Sequence, residues 1–289
     1  MEFLINFFRL TRPLSNVKNI VLLLLAFYFS KSEFNLQLFF WSLASLSLVC
    51  SAFYVYNTMS DFDLDKNNEN KKHYLKAIDY FGEKKSFAIF ITFLIVGLFI
   101  GYFISFYFFI FLLFLALTDF LYSSKYTRFK ERFILDVLFG ASLTFLFRFL
   151  AFWFVFSSYF PPLLVLSGLV FGKSAGYLLY KSLDYPYLLN KNIKNSVTIL
   201  SKKTKIIFSV SLWVVAFISF ILLCFNSYFK IEFLGVLPPR FLLLIVFAII
   251  PLVVLYLSFL NIIKIEVRRL RMVGYIYWLV VIIIILKLL

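Results

Sequence analysis

Apolar residues fall in long unbroken blocks, separated by short polar segments rich in lysine and arginine. Blocks at roughly 17–32, 36–57, 86–102, 104–122, 134–156, 162–181, 205–226, 240–260 and 272–288 are each long enough to cross a hydrocarbon core of about 30 Å as a helix. The blocks are continuous rather than alternating, which excludes a transmembrane barrel, and unpaired backbone groups in lipid leave only the helix. The pattern therefore predicts an all-α polytopic bundle of about nine transmembrane helices, a single domain over residues 1–289. The apolar stretch from Lys85 to Lys125 is too long for one span and divides near Gly101–Ser105. Pro161–Pro162 and Pro238–Pro239 mark two further turns, because proline can begin a helix but not continue one. Ahead of the first span, Glu2 to Arg12 reads as an interfacial helix, apolar with basic residues at its end.

Composition agrees with this pattern. Of 289 residues, 63% are hydrophobic and 15% charged, whereas a soluble domain is nearer half apolar and a quarter charged. Cys50 and Cys224 both lie in apolar blocks, so no disulfide framework is indicated. A single histidine, His73, argues against a His/Cys metal site. No short apolar run is followed by a small-residue cleavage site, so no cleaved leader is expected. The net charge of +15 is a topology signal. With the N-terminus in the cytoplasm, the N-terminal segment and the loops after spans 2, 4, 6 and 8 hold 23 of the 29 basic residues. The opposite orientation would invert that ratio, so an integral membrane protein with a cytoplasmic N-terminus and an external C-terminus is expected. DNA binding needs no separate consideration.

The chemistry gathers at the end of the second span, which reads Tyr54-Val-Tyr-Asn57-Thr-Met-Ser-Asp61-Phe-Asp-Leu-Asp65. Asn57, Asp61 and Asp65 are spaced i, i+4, i+8, so on a helix they stack along one face, each about 6 Å above the last. Carboxylates on such a stripe, at the mouth of a bundle, suit a hard cation that keeps some waters and bridges to substrate phosphates, as Mg²⁺ does. The same spacing also suits an ordinary solvated acidic loop after a span.

Asn-x-x-x-Asp-x-x-x-Asp at this position resembles the first aspartate-rich motif of the UbiA superfamily of intramembrane prenyltransferases. The basic run that follows it, with Lys71, Lys72 and Lys76, resembles the family's post-motif segment. Tyr126-Thr-Arg-Phe-Lys130 resembles its Tyr-x-x-x-Lys element, with Asp136 at a fitting distance. The resemblance covers essentially the whole chain. It implies a UbiA-like helical bundle with cytoplasmic active-site loops, in which Asp61 and Asp65 bind Mg²⁺ and the metal binds the donor's diphosphate. It further implies that cations neutralise the departing diphosphate; Lys130, Lys72 and Lys76 are the candidates, with Asn57 and Tyr126 binding substrate. Simple positive-inside charge would equally account for Lys72 and Lys76. The second aspartate-rich motif departs from the family pattern: Asp184 remains, and Asn190 stands near the position of the other carboxylate.

Asp119, Arg148 and Lys173 lie inside spans, where a charge costs about 2.5–3.5 kcal/mol even on the mild insertion scale, so each should face a polar cavity or a partner. Arg148 and Lys173 are read as cavity-facing cations that contact substrate phosphate, against the alternative of a structural pair with Asp119. Within the superfamily, Arg12-Pro13 followed by Lys18-Asn19, the Lys71-Lys72…Lys76 run, and Leu135-Asp136-Val137 followed by Arg148 resemble the decaprenyl-phosphate phosphoribosyltransferase branch. That branch takes phosphoribosyl diphosphate as donor and a polyprenyl phosphate as acceptor, and the resemblance adds Lys18 to the substrate-binding set. Against it stand Thr58, where an Asp usually accompanies the motif Asn, and the reduced element after span 6. Prenyl transfer from a polyprenyl diphosphate to an aromatic, quinone-precursor or lipid acceptor is the alternative. A transporter or a non-catalytic homologue is the alternative of another class, although no inverted repeat or pair of glycine-broken helices marks a transporter.

Overall fold

The computed structural model describes residues 1–66, 68, 71–182, 188–189, 192–229, 253–254, 256–257, 259–260 and 267–288. The first helix, α1 (Glu2–Thr11), stops at Arg12, which adopts the left-handed conformation at φ 50° and ψ 52°. Pro13 then opens a short 3₁₀ turn (Pro13–Asn16), where its missing N–H costs nothing, and α2 (Val17–Ser30) follows. Asn35 caps α3 (Leu36–Ser60) by accepting a hydrogen bond from the Leu38 amide at 3.0 Å. One helical turn, α4 (Phe62–Asp65), precedes the long α5 (Lys72–Ile104). Ser105 is extended at φ −163° and its hydroxyl accepts from the Phe108 amide. This cap starts α6 (Phe106–Ser123) at the place where the long apolar stretch was expected to divide. The next helix is built in three parts: α7 (Leu135–Val137), a widened π segment (Leu138–Leu143) and α8 (Thr144–Phe156). The chain continues as α9 (Leu163–Ser182), the single turn α10 (Ser196–Ile199), α11 (Lys202–Phe229) and α12 (Val267–Leu288).

Among the described residues, seven helical segments are long and apolar enough to cross a membrane, and each carries one of the first seven expected spans. α12 covers the ninth, while the expected span 240–260 lies largely outside the described residues. The third span differs from expectation. Its helix begins at Lys72 rather than near residue 86, so the basic run around Lys72 and Lys76 is helical rather than loop. A break at Gly82 (φ 74°, ψ 163°) separates this basic arm from the apolar part of α5, in a conformation that glycine adopts without strain.

The chain divides into two compact units. The first comprises residues 1–27, 32–129 and 147–156. Its main packing is α3 on α5. Lipid tails give apolar surfaces no reason to associate, so close backbone approach and interhelical hydrogen bonds must hold such a pair. Gly97 supplies the approach: a Cβ there would lie 2.8 Å from Val49 Cγ2 and 3.0 Å from the Ser45 carbonyl oxygen. The hydroxyl of Ser45 donates to the Gly97 carbonyl at 2.7 Å. The second unit comprises residues 28–31, 130–146 and 157–289 and is dominated by α9 against α11. The same devices recur there: Ser209 donates to the Ala175 carbonyl at 3.0 Å, and the Ser167 and Ser219 hydroxyls meet at 2.8 Å.

Candidate active site

The acidic stripe lies in the first unit and is bent rather than straight. α3 ends at Ser60, Asp61 takes φ −99° and ψ 2°, and α4 restarts at Phe62. The helix is interrupted at Asp61, yet the i, i+4 stacking expected from the spacing survives. The Asp61 amide donates to the Asn57 carbonyl at 3.1 Å and the Asp65 amide to the Asp61 carbonyl at 2.8 Å, which carries the helical path through the bend. Asp61 and Asp65 are buried, each 5% exposed. Asp63, between them, points outward to an exposed pair with Lys66 at 2.8 Å, and that hydrogen bond holds its carboxyl below the usual carboxylate range. The motif carboxylates are thus turned inward and the intervening one is not, which an ordinary solvated loop would not require. Asn57 Oδ1 accepts from the Ser123 hydroxyl at 3.1 Å, fixing the amide with its NH₂ opposite. Asp65 Oδ2 is met by Lys71 Nζ at 2.8 Å. Lys72 and Lys76, singled out from the sequence, are exposed on the α5 arm.

Hard oxygen donors one helical turn apart fit a cation that completes its shell with water and substrate phosphate rather than with an all-protein cage. Among the described residues no cluster of three or more His, Cys, Asp or Glu side chains forms such a cage.

Cations gather beside this stripe around Tyr54. Arg12, turned inward by its left-handed backbone, donates from Nη2 to the Thr58 hydroxyl at 2.6 Å. Its guanidinium carbon lies 3.6 Å from the centre of the Tyr74 ring and 5.7 Å from that of Tyr54. Thr58 therefore holds Arg12 by a neutral hydroxyl. Lys18 Nζ lies 5.9 Å from the Tyr54 ring. Arg148, on α8 and 4% exposed, donates from Nη1 to Asn19 Oδ1 at 3.5 Å, and its Nε finds no hydrogen-bond partner among the described residues. Lys18, Tyr54 and Asp119 all lie within its electrostatic reach. Asn19 in turn donates to Asn16 Oδ1 at 3.3 Å, and Asn16 donates to the Ser51 hydroxyl at 2.9 Å. An amide and hydroxyl network thus supports the arginine within the membrane-spanning part of the bundle.

The second unit holds Lys130, Asp136 and Lys173. Lys130 sits in a 3₁₀ turn (Phe129–Glu131) and is buried at 8% exposure. Its carbonyl accepts from Asn195 Nδ2 at 3.3 Å and from Lys181 Nζ at 3.5 Å. Tyr126, placed in the substrate set by its spacing to Lys130, belongs to the first unit and is 95% exposed. Lys173 Nζ lies 6.0 Å from the Phe145 ring. Asp184 and Asn190 lie outside the described residues.

Sequence reasoning missed the Lys71 pairing and the Asn16–Asn19 support. The signal for the second was present: asparagines at the head of an apolar block must find partners. Lys71 carried no signal beyond that of its neighbours Lys72 and Lys76, because only the turn between α4 and α5 selects it.

Comparison with known proteins bears on this arrangement. Among solved structures, a UbiA homologue from Archaeoglobus fulgidus bound to GPP and Mg²⁺ superposes with a TM-score of 0.71 at 17% identity, covering 98% of both chains. A digeranylgeranylglyceryl phosphate synthase structure matches with a TM-score of 0.67 at 18% identity, over 99% of this chain and 100% of that one. The apo form of a UbiA homologue from Aeropyrum pernix K1 gives 0.67 at 14% identity, over 94% and 95%. At these identities the likeness is one of fold. No curated protein matches the sequence significantly. Residues 19–272, however, match the UbiA prenyltransferase family, and with most of the chain inside that match this integral membrane protein belongs to that family of transferases.

Proposed function

We propose that this protein is a Mg²⁺-dependent transferase whose donor is a diphosphate held at Asp61 and Asp65, with residues 1–289 acting as one transmembrane domain. The site is taken to open to the cytoplasm, with the N-terminus on that side and the C-terminus outside, as the distribution of basic residues supports. The observation that carries the reading is the buried pair Asp61 and Asp65, one hydrogen-bonded turn apart, in a member of a transferase family. Bound there, Mg²⁺ would neutralise charge that develops on the departing diphosphate. The remaining work falls to the chain's own side chains. Asn57, oriented by Ser123, offers an amide donor beside the carboxylates. Arg12, clamped between Thr58 and Tyr74, presents a guanidinium whose position is already paid in conformational entropy before substrate arrives. Lys130, Lys72, Lys76, Asp184 and Tyr126 carry over from the family resemblance as further diphosphate and substrate contacts.

For the finer reaction we favour transfer of a phosphoribosyl group from its diphosphate to a polyprenyl phosphate. Arg148 and Lys18, supported by Asn19 and set around Tyr54, suit a second anionic substrate, and Lys173 is assigned to the same task. Asp119 is a single carboxylate beside both Arg148 and Lys18, and an anionic acceptor would offset the positive charge that remains at a costly depth. Prenyl transfer to an aromatic, quinone-precursor or lipid acceptor is the second reading, favoured by the solved relatives bound to GPP and to DMAPP. A donor swap on purified protein with Mg²⁺ decides between them. Labelled phosphoribosyl diphosphate with polyprenyl phosphate should give product, and turnover only with prenyl diphosphates would establish the second reading. Absence of turnover with either would favour a non-catalytic homologue or a transporter.

A further inference from the structure

The second unit contains a strained turn that the proposed chemistry has not used. Ile134 sits at φ 66° and ψ −43°, and the Leu135 amide donates to the Phe133 carbonyl at 2.8 Å. This is the rare γ-turn of positive φ, here with a β-branched residue at its centre, a conformation that persists only where surroundings enforce it. The enforcing groups come from the pair Asn195–Ser196, about sixty residues later. The Ser196 hydroxyl accepts from the Ile134 amide at 2.9 Å and itself donates to Asp136 Oδ1 at 2.5 Å. The Ser196 amide donates to the same oxygen at 3.2 Å. Asn195 Nδ2 donates to the Lys130 carbonyl at 3.3 Å, while its Oδ1 accepts from the Val197 and Thr198 amides. Thr198 closes a capping box by accepting from the Asn195 amide at 3.0 Å. The segment 130–136 is thus pinned at three places, Lys130, Ile134 and Asp136, by two adjacent residues.

Asp136 is the hub of this strap. It is fully buried, and Lys181, which also reaches the Lys130 carbonyl, lies within its electrostatic reach. Its Oδ2 finds no hydrogen-bond partner among the described residues. A buried carboxylate engaged through one oxygen is an expensive way to hold a loop if a serine or threonine would serve. A strap of this kind sets backbone position, and the backbone it sets is the one that carries Lys130.

We infer that Asp136 is a positioning residue: through Ser196 and Asn195 it fixes the strained segment that presents Lys130. The inference rests on the reading of Lys130 as a cation for the donor diphosphate. It predicts a defect in donor binding rather than in folding, and a defect that exists only while Lys130 is there to be positioned.

The test measures donor KM and kcat for Asp136→Leu, Asp136→Asn, Lys130→Gln and the Asp136→Leu/Lys130→Gln double variant, each checked for a monodisperse fold. Asp136→Leu should raise donor KM about tenfold with kcat changed less, and Asp136→Asn, which keeps an acceptor for Ser196, should recover most of the loss. In the Lys130→Gln background, Asp136→Leu should add nothing. If Asp136→Leu does not fold, Ser196→Ala, which deletes one hydroxyl from the strap, takes its place in the same cycle. Losses that multiply in the double variant, or an unchanged donor KM in Asp136→Leu beside an impaired Lys130→Gln, would overturn the positioning role and leave the diphosphate reading intact. An unimpaired Lys130→Gln would overturn both.

Discussion

Lys71 Nζ lies 2.8 Å from Asp65 Oδ2 across the turn from α4 to α5, a partly buried pair with side chains 30% and 7% exposed. The carboxylate proposed to hold a divalent cation therefore already has a monovalent one against it, and the two must share or compete.

Competition gives a measurable consequence. A partly exposed ion pair is worth up to about 1 kcal/mol. Lys71→Met should therefore tighten Mg²⁺ binding in the absence of donor by roughly two- to fivefold, read by isothermal titration. Weaker Mg²⁺ binding in that variant would mean that Lys71 instead supports the carboxylate geometry.

Asp61→Asn and Asp65→Asn should each lower turnover by about a hundredfold or more, as expected when charge stabilisation of a leaving group is lost. Radiolabelled donor in detergent reports it, and the fold should survive because an amide replaces a carboxylate of equal size. Normal turnover in both variants would remove the acidic stripe from the reaction.

Arg148→Met separates function from stability. Replacing a buried, incompletely bonded cation by an apolar side chain of similar length is often neutral or stabilising. Thermal midpoint should hold or rise, while acceptor KM increases at least tenfold and donor KM stays near wild type. A large fall in thermal midpoint with unchanged acceptor KM would assign Arg148 to structure alone.

Gly97→Ala tests the packing of α3 on α5. The added methyl meets a Val49 methyl and the Ser45 carbonyl at 2.8 and 3.0 Å, and backbone cannot yield as a flexible side chain would. A loss of about 1–3 kcal/mol is expected, seen as earlier thermal aggregation. At Ile134 the sign reverses: Ile134→Gly relieves the γ-turn, and a gain of about 1 kcal/mol is expected in the same assay.

Most of the fold was legible because lipid makes its demands local. Continuous apolar blocks must be helices, and Ser105 divides the longest of them where length alone required a division. The acidic stripe was legible for a similar reason, since its spacing lies within one stretch of chain. The bend at Asp61 was not, because hydrogen bonds continue through it and the spacing is the same with or without it. The strap on Ile134 joins residues about sixty positions apart, and neither Ser196 nor Asp136 differs locally from an ordinary cap or helix-start residue. Lys71 shows the same limit at short range: three lysines in six residues look alike until the turn chooses one.

The break at Gly82 makes the basic arm of α5 a ruler. Lys71 stands just ahead of that arm, and the apolar part of the helix begins about one turn beyond the break, after Glu83, Lys84 and Lys85. The number of residues between them sets both the reach of the lysine and its angle about the axis. One residue added to the arm would turn Lys71 by about 100° and shift it about 1.5 Å, enough to carry its ammonium away from Asp65. The arm can therefore change its surface residues freely while its length stays constrained.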